Sequence, residues 1–201
     1  MRPVRLGAIV LPCVLPVIGL NGGRSSGMSP LNSMLRTPNR RIALIALLVI
    51  TLDQLTKQIV LRLIPYTQEK VVIEGFFKFV HWGNTGSAFS MFRGNNGLLA
   101  GVAVFALLVL FLSRHQFDSR TLLSQVAFGL IFGGIMGNLI DRLWAGRVID
   151  FIYFYIQQQG GTEIGFPAFN VADSAICTGV GLVFYITWRS DHAGERLKAK
   201  G

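Results

Sequence analysis

Gly137-Asn138-Leu139-Ile140-Asp141-Arg142 closes one long apolar run, and Val148-Ile149-Asp150-Phe151 follows shortly after it. An echo, Phe169-Asn170-Val171-Ala172-Asp173-Ser174, opens the next apolar run. Carboxylates are expensive to keep in or near lipid, so three aspartates at the margins of such runs need a reason. The runs themselves, Leu122 to Ile140 before the aspartates and about Val171 to Trp188 after them, are of spanning length.

Working outward, two more runs of that kind precede these: Ile42 to about Leu63 and roughly Gly97 to Ser113. Composition agrees with a polytopic membrane protein. Of 201 residues 51% are hydrophobic and only 14% charged, and mean hydropathy is +0.51; soluble domains carry roughly 25% charge. The net charge of +9 fits an excess of Lys and Arg on cytoplasmic loops, and no basic patch interleaved with aromatics points to nucleic acid. The predicted fold is an all-α membrane protein of four transmembrane helices, one domain over 28–201. Spans fall at about 42–63, 97–113, 122–140 and 171–188, with extracytoplasmic segments at 64–96 and 141–170.

Orientation follows from the basic residues. Arg36, Arg40 and Arg41 precede the first span, Arg114 and Arg120 follow the second, and Arg189, Arg196, Lys198 and Lys200 follow the fourth. Both termini are then cytoplasmic, against the weaker signal of Arg142 and Arg147 outside. Residues 1–27, with Pro12 and Pro16 breaking their apolar part, read as an N-terminal extension, disordered or ahead of the working start. Cys13 and Cys177 predict no disulfide.

Between spans one and two, Lys70 to Trp82 is rich in β-branched and aromatic residues, with Glu74-Gly75 as a turn signal. It predicts a short β-rich element at the membrane interface. Val148 to Ile156 is too short to span and is expected to lie in the interface or dip back in, presenting Asp150 inward. Gly129, Gly133 and Gly137 form a small-residue stripe for close helix contact. In the first span Asp53, Gln54, Lys57 and Gln58 share one arc, with Leu52, Leu55 and Ile59 opposite, and Asp53 and Lys57 are spaced to pair.

This topology gathers the ionisable groups near the outer leaflet. His81, His115 and His192 are isolated and read as surface residues, so neither a metal site nor a cofactor is expected. Lys57 with Ser87 or Ser90 could form a serine–lysine pair, but Asp53 is its nearer partner. Two carboxylates held close share a proton; one then serves as base on a water while the other polarises a carbonyl, which is peptide hydrolysis without a covalent intermediate. The competing reading has these aspartates capping helices or pairing with Arg142. A second functional class, a small ion-coupled transporter or channel subunit, would also use intramembrane Asp and Lys, but the inner halves of the spans are almost free of charge.

Taken together, Asp53-Gln54-Leu55-Thr56-Lys57, Asn84-Thr85-Gly86-Ser87-Ala88-Phe89, Gly133 to Arg142, Val148-Ile149-Asp150-Phe151 and Phe169 to Asp173 resemble lipoprotein signal peptidase (signal peptidase II), in that family's order. The resemblance implies an inner-membrane aspartyl endopeptidase of bacteria, active at the periplasmic side. It would cleave prolipoproteins just before a diacylglyceryl-modified cysteine. It also implies Asp150 and Asp173 as the catalytic pair, with Asp141 supporting them. Asn84, Gly86, Asn138, Arg142, Asn170 and Ala172 would shape the pocket, and Asp53 and Lys57 would brace it. A β-rich cradle, a short interfacial helix within 65–96, contact with membrane lipids and inhibition by the cyclic peptide globomycin are further implications. The extension 1–27 and the long stretch through Gln157–Gly165 depart from the family pattern.

Overall fold

A computed structural model of the chain describes residues 37–86, 94–113, 121–158 and 162–198. Its elements run α1 (Pro38–Leu63), β1 (Glu69–Ile73), β2 (Phe77–Asn84), α2 (Asn96–Ser113), α3 (Leu122–Trp144), β3 (Val148–Gln157), β4 (Glu163–Gly165) and α4 (Val171–Lys198). All four helices are long and apolar enough to cross a membrane, the candidate span of α4 being Val171–His192.

The helix ends follow from their sequences. Pro38, with no N–H to satisfy, opens α1 behind an extended Thr37. Thr121 caps α3 by accepting from the Ser124 N–H at 3.2 Å. At the other end, Ala145 N donates to Asp141 O and Gly146 takes the left-handed φ of +68° that ends the helix. Helix α3 therefore runs four residues past the expected boundary at Ile140, so Asp141 and Arg142 sit on its last turn and not in a loop.

Helix α3 is the most buried element and packs against α1, α2 and α4. The glycine stripe explains how closely. A Cβ on Gly133 would lie 2.7 Å from the Ala46 carbonyl oxygen of α1, and one on Gly137 would lie 2.7 Å from Asp53 Oδ2. By contrast α2 is exposed nearly all round, as an apolar helix in lipid can be. On α1, Leu52, Leu55 and Ile59 face outward as expected; Gln58 does too, against expectation, because the buried arc runs through Asp53, Lys57 and Val60.

The segments between α1 and α2 and between α3 and α4 form one antiparallel sheet in the order β1-β2-β3-β4. Glu74-Gly75 turns the β1–β2 hairpin, with Gly75 at φ +72°. Val148 to Ile156, expected to lie in the interface or re-enter the bilayer, belongs to the strand β3, flanked by β2 and β4. Its inner half is covered on both faces, which removes the alternation that marks a strand in sequence. Among the described residues of 64–96 no separate interfacial helix forms; 87–93, with Ser87 and Ser90, and 1–36 lie outside the described residues, as does His115.

Sheet and helices meet where Phe79, Phe151 and Ile152 pack on Val60 of α1, on Ile64 just after it and on Val171 of α4. The β2–β3 register slips by one residue between Phe79↔Ile152 and Trp82↔Asp150, a bulge beside the acidic cluster. His81, within the bulge, is buried and not at the surface as the sequence suggested; its Nδ1 lies 2.8 Å from the Ile64 carbonyl oxygen. Arg147 lays its guanidinium 4.5 Å from the Tyr66 ring centroid.

Candidate active site

Asp150 reaches the site from β3 and Asp173 from the first turn of α4. The connection is local. Phe151 N and Ile152 N both donate to Phe169 O, and Phe169 N returns a bond to Ile152 O. That bridge holds the residues just before α4 against β3. Asn170 then caps α4: its Oδ1 accepts from Asp173 N at 3.0 Å, and Asp173 Oδ2 accepts from Asn170 N at 3.2 Å. This reciprocal capping box fixes the Asp173 carboxylate at the helix N-terminus, where negative charge is favoured. The capping that the sequence offered for these aspartates is present at Asp173, which also lines the cavity described below.

Three asparagine amides orient the two carboxylates, and each is itself oriented by an obligate donor. Asn170 must turn its oxygen to Asp173 N, so its NH2 faces Asp150 Oδ1 at 2.8 Å. Asn84 turns its oxygen to Gly86 N and donates to Asp150 Oδ2 at 2.9 Å. Asn138 turns its oxygen to the Lys57 ammonium at 3.1 Å and to Asn170 Nδ2, and donates to Asp173 Oδ1 at 2.7 Å. Asp150 and Asp173 are thus joined through Asn170 and Asn138.

Beneath them lies a buried ionic layer. Lys57 Nζ is 2.7 Å from both Asp53 Oδ2 and Asp141 Oδ2, all three residues being almost fully shielded. Asp53 Oδ1 accepts from Ala172 N at 2.9 Å, tying α1 to the start of α4. Asp141 Oδ2 accepts from Ile149 N, tying α3 to β3. Gln54, on the polar arc but assigned no role from sequence, donates to Asp141 Oδ1 at 2.9 Å. The five aspartate and lysine side chains anticipated from the sequence therefore form two layers. Asp150 and Asp173 face a cavity, and Asp53, Lys57 and Asp141 brace it from behind.

That cavity measures about 1170 Å³. Trp82, Tyr153 and Phe166 of the sheet side and Leu99 and Ile176 of the helices are among its walls, and Asn84, Gly86, Asn138 and Arg142 also line it. Arg142 donates to Asn138 O at 3.3 Å, while its buried Nε has no partner. Burial, and then the charge of Asp173, push the Asp150 carboxyl up to about 7, against the opposing effect of the Asn84 and Asn170 hydrogen bonds. Cys177 is a free, exposed thiol on α4. Among the described residues no group of three His, Cys, Asp or Glu side chains is placed to hold a metal ion.

Four membrane-length helices around buried, mutually linked carboxylates define a multi-pass membrane protein equipped for acid–base hydrolysis. Comparison with known proteins makes the class specific. The family described as Signal peptidase (SPase) II matches residues 45–189. The lipoprotein signal peptidase of Azoarcus sp. is 42% identical over 161 residues, covering 78% of this chain and 86% of the relative. That of Symbiobacterium thermophilum is 39% identical over 140 residues, covering 70% and 89%. A bacterial membrane enzyme solved by the in meso method at 2.3 Å superposes with a TM-score of 0.66 at 31% identity, over 75% of this chain and 88% of that one. A second, at 1.9 Å, gives 0.62 and 32%. The chain belongs to the signal peptidase II family of aspartic peptidases.

Proposed function

We propose that this chain removes the signal peptide from prolipoproteins, cutting just before a diacylglyceryl-modified cysteine, with Asp150 and Asp173 as the catalytic pair. The observation that carries the assignment of the pair is the convergence of these two carboxylates, oriented by Asn84, Asn138 and Asn170, on one cavity. Family membership carries the substrate class.

The chemistry follows from the charges. Two carboxylates in one shielded site keep a single proton between them, and the raised affinity of Asp150 places loss of that proton near pH 7. The ionised partner takes a proton from water as the water oxygen attacks the scissile carbonyl carbon. The protonated partner hydrogen-bonds the carbonyl oxygen and then gives it the proton. Collapse of the tetrahedral diol breaks the C–N bond, and a proton passes to the departing amine. Arg142, with an uncommitted Nε–H at the cavity wall, is suited to hold a substrate carbonyl. Leu99, Val102, Ala103 and Ile176 offer apolar wall to the diacylglyceryl chains.

In this reading residues 28–201 form one peptidase domain in the bacterial inner membrane, with both termini cytoplasmic and the cavity at the periplasmic side. The sheet serves as a cradle over the site, bilayer lipids surround the helices, and a cyclic peptide such as globomycin competes for the cavity. A transport role finds no support in the comparisons, and the Asp53–Lys57 pair that suggested it is spent on bracing. The test is mass spectrometry of products from a purified precursor with and without diacylglycerol. A single cut before the lipidated cysteine supports the proposal; a cut elsewhere, or equal cleavage of the unlipidated precursor, overturns it.

A further inference from the structure

Lys78, within the Lys70 to Trp82 segment, takes no part in the site described above, yet it is among the most buried charges of the described residues. It stands on β2 opposite Tyr153 of β3. Its ammonium lies 2.7 Å from Glu163 Oε2 on β4 and 2.8 Å from Glu69 Oε2 on β1, and 5.5 and 4.6 Å from the ring centroids of Tyr153 and Tyr155. One cation on β2 therefore touches all three other strands. A lysine is buried this completely only where it is paired.

Its position matters because of what β4 does. This strand has three residues, all exposed, and pairs only with β3. Glu163 begins it; Gly165 ends it and, with Phe166, Pro167 and Tyr153, lines the cavity. A Cβ on Gly165 would collide with the Tyr153 hydroxyl, so the β4 backbone rests directly on the tyrosine ring that Lys78 approaches. The aspartates are held separately, through Asn84, Asn138 and Asn170.

We propose that Lys78 is a positioning residue for substrate binding: through Glu163 and Tyr153 it sets the β4 wall of the cavity while leaving the aspartate pair undisturbed. The inference rests on the cleavage reaction proposed above.

The test is steady-state kinetics on a lipidated precursor with Lys78→Met, Glu163→Gln and the double variant. Loss of the bridge is expected to raise KM about fivefold to tenfold with kcat within about twofold of wild type. The double variant is expected to be no worse than Lys78→Met alone, since both changes remove the same contact. On an Asp150→Asn background, binding of intact precursor should weaken by the same factor. A fall in kcat with KM unchanged, an unchanged KM, or additive effects would each overturn the proposal. If Lys78→Met does not fold, Glu163→Gln, altering a partly exposed side chain, decides it alone. A wild type that fails to cleave would sink the proposed function itself, whereas a wild type that cleaves beside variants of unchanged KM sinks only this inference.

Discussion

Replacing Lys57 by Met keeps the length of the buried stem and deletes its charge. The ammonium has three partners: Asp53 and Asp141, each at 2.7 Å, and Asn138 Oδ1 at 3.1 Å. Asp53 is fully buried and Asp141 only 4% exposed, so neither carboxylate can turn to water. Removing one member of a buried ionic set while leaving the others charged costs about 3–5 kcal/mol. Against a total stability of about 5–15 kcal/mol that is a large fraction, and it corresponds to a fall in Tm of roughly 10 °C for a chain of this size. A second effect is chemical: the Asn138 oxygen keeps only one of its two donors, Asn170 Nδ2, so the NH2 that faces Asp173 is held less firmly, and kcat should fall as well. The assay is thermal unfolding in detergent alongside precursor cleavage. Adding Asp53→Asn and Asp141→Asn removes the stranded charges, so the triple variant should regain part of the lost stability but not the activity. A Tm for Lys57→Met within about 2 °C of wild type would refute the role given to this lysine as the neutralising charge.

Three further outcomes are expected. Asp150 holds its proton up to about pH 7 in the folded state, against an ordinary value of 3.8, so its contribution to stability is fully present below about pH 4 and lost as pH rises to about 7; unfolding at pH 5 and pH 8 should show a smaller drop for Asp150→Asn than for wild type. Gly137→Ala would press a methyl onto Asp53 Oδ2 and should cost about 1–3 kcal/mol, whereas Gly101→Ala, with nothing within 4 Å, should be neutral or stabilising by thermal unfolding. Replacing 158–162 by a two-residue turn keeps the Gln157↔Glu163 pair and should leave cleavage measurable; complete loss would show the long hairpin to be essential.

Much of this arrangement is legible in the sequence because lipid makes polar groups conspicuous. Asp53, Lys57, Asp141, Asp150 and Asp173 stand out against their apolar surroundings, and the topology alone brings them to one level. What is not legible depends on long-range pairing. Val148 to Ile156 reads as an interfacial segment because it is apolar throughout and too short to span; its inner half is covered on both faces, and only its partners reveal the strand. The length of α3 beyond Ile140 turns on the local cap at Ala145-Gly146, a glycine signal available in the chain. The Asn170-Val171-Ala172-Asp173 spacing of a capping box is equally present in the chain, and it orients Asp173 at the start of α4. Burial of His81 and Lys78, by contrast, follows from the bulge and from the four-strand order, which no local pattern encodes.

The most direct measurement is the rate at which purified Asp150→Asn and Asp173→Asn proteins release the signal peptide from a diacylglyceryl precursor in lipid. Each change keeps size and hydrogen-bonding shape but prevents the pair from passing a proton. The account predicts that both variants remain folded and bind the precursor, and that each cleaves more than about a hundredfold slower than wild type. Cleavage within a few-fold of wild type by either variant would contradict it.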